Sequence, residues 1–399
     1  MAPPQLSSCQ IFGQFVQLTL VFIIAFFILL ITVTRISPGD QPLREPSVSQ
    51  PVLALDDAKT FTVAVFSDLH FGEKENSWGI DQDVNSTRVM RSVLENEPQV
   101  DLVVLSGDLI TGENTFRENS SAYVEQIIQP ILDRHRPWAS IYGNHDSKFN
   151  LSREQLYKAE KVYNLCYTNQ MGPSLPGLTN YYIIVYGLKG DPAAILWFFD
   201  SRGGSSYQND PANIDDIPNW VAEETAAWFT ETSAELKHKY GRALPSIAFV
   251  HVPPHVFLKA QQAGLDPKKF PGLNADVPLS IQGEGDNDVE FVNAILNTEG
   301  LHSIYVGHDH GDSWCTTWPG QSLGSKTAPF LCFAKHTGYG GYGTWKRGAR
   351  IIKLAFSGGD GDDYMAVDTW VRMENGDAVT RVSLNDTYGL DEYPTDTGE

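Results

Sequence analysis

Five short polar patches carry the side chains that can do chemistry in this chain: Asp68-Leu69-His70, Gly107-Asp108, Gly143-Asn144-His145-Asp146, His251 and Gly307-His308-Asp309-His310. Each follows an apolar, β-branched run that reads as a buried strand. A strand that stops on a carboxylate or an imidazole builds a poor core and a good metal site. The chain has ten histidines in 399 residues, and His70, His145, His251, His308 and His310 all fall in these patches.

The donor mixture is carboxylate, imidazole and one amide oxygen from Asn144. It suits Zn, Fe or Mn and is too rich in nitrogen for a calcium site. Asp68 and His70 are two apart, share a strand face and can reach one ion as the strand ends. His308 and His310 have the same spacing and can reach one ion or two. Gly107 permits a sharp turn and close backbone approach, and the Asp108 carboxylate after it has two oxygens that can bridge two cations. Asp-x-His or Gly-Asp alone carries little weight, because Gly-Asp marks many turns. Gly-Asn-His-Asp and Gly-His-x-His, each behind a strand, are more specific. Their joint occurrence leads us to expect a metal centre.

The elements that must position these patches follow a repeating rhythm. Apolar runs at 61–67, 100–106 and 137–142 predict strands, with amphipathic helices at 84–96 and 121–134 between them. That order suggests right-handed crossovers and a largely parallel core sheet. Further strands are expected at 181–186, 194–200, 246–251, 302–306, 328–334, 349–355, 365–373 and 378–384, and helices at 219–239 and 287–297. Residues 264–286 read as a surface excursion.

Outside this domain, taken as 59–385, the chain changes character. Phe15 to Val33 is almost continuously apolar and uncharged, close to the roughly 20 residues that span a bilayer. It predicts a membrane signal anchor, or a signal peptide, within 1–35. Residues 36–58 read as a linker, and 386–399 as an acidic disordered tail. Arg35 and Arg44 after the apolar run favour a cytosolic domain by the positive-inside rule. Against this stand sequons at Asn85, Asn119, Asn150 and Asn385, and Cys315 and Cys332, which can close a disulfide or stay as thiols. The expectation is a lumenal or extracellular glycoprotein domain of the secretory pathway or vacuole, anchored in the membrane through the N-terminal segment. Glycosidase-sensitive mobility of the native protein distinguishes the two orientations. The formal charge of −20 argues against nucleic acid as a partner, since phosphate backbones need clustered Lys and Arg. An anionic substrate would need local positive charge, which metal ions supply.

The order D-x-H, GD, GNHD, H, GHxH resembles the calcineurin-like metallophosphoesterases over roughly residues 60–355, closest to fungal cell-cycle-regulator phosphatases and plant purple acid phosphatase-like proteins. The resemblance implies an α/β (α+β) fold: a two-sheet β-sandwich flanked by helices, with a binuclear metal site at the strand C-terminal edge. Carried over by motif, Asp68, His70, Asp108 and His310 would hold one ion. Asp108, Asn144, His251 and His308 would hold the other, with Asp108 as the bridge. The implied reaction is hydrolysis of a phosphate ester, from a phosphoprotein or small phosphometabolite, by a hydroxide held between the ions. Alternatives are a phosphodiesterase or nucleotidase, or a membrane-anchored scaffold without catalysis. His145, assigned to neither ion, would protonate or stabilise the leaving oxygen, with Asp146 orienting it or simply capping the turn. One departure is informative. Purple acid phosphatases place a Tyr ligand where this chain has Thr111 and lack a His at position 70, so His70 is expected to replace the phenolate.

Other residues are weaker candidates. His255 is an alternative ligand to His251, and Arg202 can meet a phosphate. Lys335-His336 and the Gly-Tyr run 338–343 would line the way in for substrate or form a flexible loop. Specificity is expected to lie in loops 201–218 and 264–286.

Overall fold

A computed structural model describes residues 50–115, 120–148, 152–205, 215–283, 285, 287–321, 328–357, 364–395 and 398. The apolar run 15–33 and the sequons at Asn119 and Asn150 lie outside the described residues. Among the described residues no helix is long and apolar enough to cross a membrane.

Strand β1 (Thr60–Phe66) shows how the layers form. Its Phe61, Val63 and Val65 point one way, into a core shared with Leu102 and Val104 of β2 (Leu102–Ser106) and Ala139 and Ile141 of β3 (Trp138–Ile141). The opposing sheet fills that core with Tyr181 and Ile183 of β4 (Tyr181–Tyr186), Leu196 and Phe198 of β5 (Pro192–Phe199), and Ile247 and Phe249 of β6 (Ser246–Val250). Ala64 and Phe66 point the other way, with Val103, Leu105 and Trp138, beneath helices α1 (Gly79–Asn96), α2 (Ser120–Leu132) and α3 (Arg153–Glu160). Burial on both faces is why these strands read as continuous apolar runs. Each fully buried Val, Leu, Ile or Phe contributes roughly 1.5–3 kcal/mol.

The first sheet has the order β12-β11-β10-β1-β2-β3, with β10 (Gly348–Ser357), β11 (Tyr364–Met373) and β12 (Ala378–Ser383). The second has the order β4-β5-β6-β7-β9-β8, with β7 (Leu301–Val306), β8 (Cys315–Thr316) and β9 (Phe330–Phe333). Its outer face is covered by α4 (Glu223–Tyr240) and α6 (Val289–Asn297), where Phe199 meets Phe229 and Phe291 edge-on. Helix α5 (His255–Ala263) follows β6.

The expected two-sheet sandwich flanked by helices is therefore present. The expected largely parallel core pairing is present in part. Parallel pairing holds for β1-β2-β3 and for β5-β6-β7-β9. The C-terminal strands return as a meander and lay β10 antiparallel on β1. A strand-helix-strand rhythm constrains only the strands it connects.

Two boundaries also move. The end of the expected linker is part of the domain, because Leu53 and Leu55 are buried in the inter-sheet core and the Leu55 N–H donates to Tyr186 O at 2.9 Å. The segment after Asn385 is held as far as it is described. Tyr388 is 1% exposed, and its hydroxyl donates to Cys315 O at 2.8 Å. Cys315 and Cys332 form a disulfide between β8 and β9, and Cys166 is a buried thiol.

Candidate metal centre

The C-termini of β1, β2, β3, β6 and β7 deliver all five patches to one place. The two loops after β1 and β2 are laced together: Asp68 N–H donates to Gly107 O (3.1 Å), His70 N–H to Asp108 O (2.9 Å) and Phe71 N–H to Leu109 O (3.0 Å). Within these laced loops Asp68, His70 and Asp108 have φ of 56°, 50° and 48°, and His308 after β7 has 76°. Such left-handed backbone costs a non-glycine residue on the order of 1–3 kcal/mol and gathers at functional sites. The glycines in the motifs make the close approach possible. A Cβ on Gly143 would lie 2.5 Å from Asp108 N and 2.6 Å from His251 Nε2, and one on Gly307 would lie 3.0 Å from Asp68 Oδ2.

Two donor clusters result, Asp68 with His70 and His310, and Asp108 with His251 and His308, each with its atoms within 4.8 Å of one another. The clusters adjoin. Asp108 Oδ2 is 3.0 Å from His251 Nε2 and 3.8 Å from His70 Nε2, and Asp68 Oδ1 is 3.7 Å from His310 Nε2 and 3.9 Å from His251 Nε2. Asn144 lies in the loop after the third strand, and its Oδ1 is buried without a hydrogen-bond partner among the described residues, as are His251 Nε2 and His308 Nδ1. Buried acceptors are seldom left unpaired. Three of them lie here beside two buried carboxylates, on residue types that suit a transition metal, so the donor set fits the metal ions expected of it.

Ring orientation follows from what lies behind each imidazole. His251 Nδ1 faces Ser106 O at 2.8 Å, and His310 Nδ1 faces Tyr342 O at 2.9 Å. Carbonyls only accept, so each Nδ1 carries the proton and each Nε2 is left as a ligand. His70 Nδ1 lies 3.0 Å from Thr111 Oγ1, which donates to Glu73 Oε1 at 3.3 Å. Thr111 is therefore not an empty replacement for a ligand. It accepts from the His70 ring and sets that ring's tautomer.

Charge is divided among the rings. Burial drives His70 well below its ordinary pKa, takes His308 down to about 3 and lowers His310. His251 goes the other way. Burial lowers its pKa, but the Asp108 and Asp68 carboxylates and the Ser106 carbonyl together outweigh that and raise it to about 10.

His145 stands beside the clusters, its ring centroid 5.0 Å from that of His70. Its backbone N–H donates to Asp108 Oδ1 at 2.7 Å. The expected partner, Asp146, does not hold its ring. Asp146 is fully buried and accepts from three backbone N–H groups, Leu109 (2.9 Å), Ile110 (3.0 Å) and Gly143 (2.8 Å). Those bonds staple the loop after β3 to the loop after β2. The carboxylate on His145 is Glu113, with Oε1 2.7 Å from His145 Nδ1 and 3.3 Å from Lys148 Nζ. Burial lowers the His145 pKa, but Asp108 and the bond to Glu113 more than offset it, and the net shift is upward. Glu113 was not singled out from sequence. The only signal was a carboxylate in the turn that follows Gly107-Asp108.

The weaker candidates resolve as follows. His255 Nδ1 pairs with Asp288 at 2.5 Å and joins neither cluster. Arg202 stacks 5.4 Å over Trp220 and donates from Nε to Trp220 O at 2.9 Å. Residues 338–343 are pinned rather than loose. Gly338 N–H donates to Asp68 O at 3.2 Å, Tyr339 N–H to Ser86 Oγ at 2.8 Å, and a Cβ on Gly340 would lie 2.6 Å from His70 Cβ.

Comparison with known proteins agrees with this geometry. The family described as calcineurin-like phosphoesterase matches residues 61–312. Among curated proteins, the chain is 25% identical over 363 residues to probable inactive purple acid phosphatase 28 of Arabidopsis thaliana, covering 83% of this chain and 84% of that one. It is 26% identical over 287 residues to the phosphatase DCR2 of Saccharomyces cerevisiae, covering 67% of this chain and 46% of that one. Among solved structures, a dimetal phosphatase from Danio rerio superposes with a TM-score of 0.52 at 13% identity, covering 82% of this chain and 98% of that chain.

Proposed function

The chain belongs to the calcineurin-like phosphoesterase family, and from that premise we propose that it hydrolyses phosphate monoesters with two metal ions. Fe, Zn and Mn all suit the donors. Asp68, His70, Asp108 and His310 would hold one ion, and Asp108, Asn144, His251 and His308 the other. When bound, the two ions supply positive charge for the phosphoryl oxygens and lower the pKa of the attacking water.

The protein's own groups do the rest. Asp108 faces both clusters and keeps them adjacent. His145 holds the proton for the leaving oxygen. Its Nδ1 is committed to Glu113, so Nε2 is the nitrogen left to donate. Asp146 holds the loop that carries Asn144 and His145 against the loop that carries Asp108. The observation that carries this reading is the convergence of two His/Asp donor clusters, Asp68 with His70 and His310 and Asp108 with His251 and His308, beside the unpaired Asn144 Oδ1.

A metal-binding protein without turnover is the second reading, favoured by the name of the Arabidopsis relative, probable inactive purple acid phosphatase 28. The His145–Glu113 pair speaks against it, because a scaffold needs the ligands but no poised acid. The test is turnover of an aryl phosphate monoester, and of the corresponding diester, by the metal-loaded chain. Wild type should cleave the monoester. Asp108→Ala should lose about 10²–10³-fold or more, the lower figures being the scale of removing one preorganised charge contact. His145→Ala should lose about 10²–10⁴-fold in kcat with its metal content intact. Equal rates for wild type and Asp108→Ala would refute catalysis at this centre. Full metal loading without turnover would establish the scaffold, and faster diester cleavage would change the substrate class.

A further inference from the structure

His310 is held in a way no other donor is. Tyr342 lies flat on its imidazole, with ring centroids 4.0 Å apart and planes 11° apart. His336 lies on it as well, at 3.8 Å and 37°. Two rings this near to one imidazole and this close to parallel fit only on opposite faces. Tyr342 also holds the backbone and the far nitrogen of the same residue. Its hydroxyl accepts from His310 N–H at 3.0 Å and donates to Asp276 Oδ2 at 2.5 Å, while its carbonyl accepts from Nδ1.

His336 is 2% exposed, and neither ring nitrogen has a hydrogen-bond partner among the described residues. What it offers His310 is its ring face. Both clamping residues come from the segment 335–345, whose glycines leave no space between it and the centre. A Cβ on Gly341 would land on His310 Cε1 and lie 2.9 Å from His70 Cδ2. The segment is fastened outside the centre by Tyr339, which donates to Glu374 Oε2 at 2.8 Å and lies under Arg347 at 5.4 Å.

We propose that residues 335–345 form a clamp dedicated to His310, with Tyr342 and His336 as positioning residues that set how tightly the Asp68–His70–His310 half of the centre holds its ion, independently of the other half. This rests on the two-ion reading above. An imidazole fixed on both faces and at Nδ1 loses little freedom when its Nε2 takes a metal, and such supporting contacts are worth about 10–100-fold in metal affinity.

Calorimetric titration of the demetallated full chain with Mn(II) tests the clamp. Wild type should show two binding events. Tyr342→Ala should weaken one of them by about 10–100-fold and leave the other unchanged. His336→Ala should weaken the same event, and His336→Phe, which keeps a ring face, should restore it. Tyr342→Phe keeps the stack and loses only the hydroxyl, so it should fall between wild type and Tyr342→Ala. Tyr342 is 49% exposed, and its phenylalanine variant decides the matter if an alanine variant does not fold. Unchanged events, both events weakened together, or phenylalanine variants as damaged as the alanine ones would overturn the clamp. Fewer than two events in wild type would remove the two-ion reading, and the clamp with it.

Discussion

His70 and His310 are steadied from outside the sheets, whereas His251 is steadied by the end of a strand and Asn144 by a staple between the loops after β2 and β3. In the first half of the centre, His70 leans on Thr111 and through it on Glu73, and His310 sits between Tyr342 and His336. These supports lie in turns and in a glycine-rich segment. In the second half, His251 leans on the carbonyl of Ser106, the last residue of β2, and Asn144 is carried on a loop stapled by Asp146. The supports there are a strand end, which cannot shift without moving the core, and a staple that ties the loop after β3 to the loop after β2. The difference separates two tasks. The strand ends fix where the chemistry happens, and the outer loops adjust how one ion is held.

A methyl group on either side of the centre puts that division at risk. Gly143→Ala should have the largest effect. The added carbon meets Asp108 N at 2.5 Å and His251 Nε2 at 2.6 Å, and neither is the end of a flexible chain. Activity should fall by at least about 10³-fold, and added Mn(II) should not restore it. Gly341→Ala should do less. It strains a residue at φ +72° by about 1–2 kcal/mol and presses on His310, but the segment that carries it lies outside the sheets. Activity should drop at low metal and recover as Mn(II) is raised. If excess metal rescued both variants, or neither, the division between strand ends and loops would be wrong.

Glu113→Gln should have the smallest effect and should touch neither ion. If His145 donates the proton, activity is lost as pH rises through its pKa. Burial lowers that pKa, while Asp108 and the Glu113 carboxylate raise it further than burial lowers it. Removing the Glu113 charge lowers the pKa, so the alkaline limb of the kcat profile should move to lower pH. A limb that stays in place would show that His145 is not the donor, or that Glu113 does not tune it.

The same division explains what could be read from sequence. Asp68, Asp108, Asn144, His251, His308 and His310 are legible because each breaks an apolar run, and a polar residue at a strand end is visible against that background. Glu113 and Tyr342 interrupt nothing. They sit in turns without a period, and their positions depend on contacts such as the Gly112 N–H bond to His145 O. For Asp146 the sequence leaves two roles open, orienting His145 or capping the turn, and in the short 3-10 turn His145–Ser147 its carboxylate accepts from backbone N–H groups. Among the elements, α5 was missed because Pro253-Pro254 reads as a break, although Pro254 only precedes the first turn, where proline is tolerated. Helix α3 carried a usable signal, Ser152 with Gln155 three residues on. The Gln155 N–H does donate to Ser152 Oγ, at 3.4 Å.

The most direct measurement is anomalous diffraction from crystals of the chain soaked in Mn(II). The account predicts two peaks, one among Asp68, His70 and His310 and one among Asn144, His251 and His308, both in contact with Asp108. A single peak, or two that do not share Asp108, would contradict it.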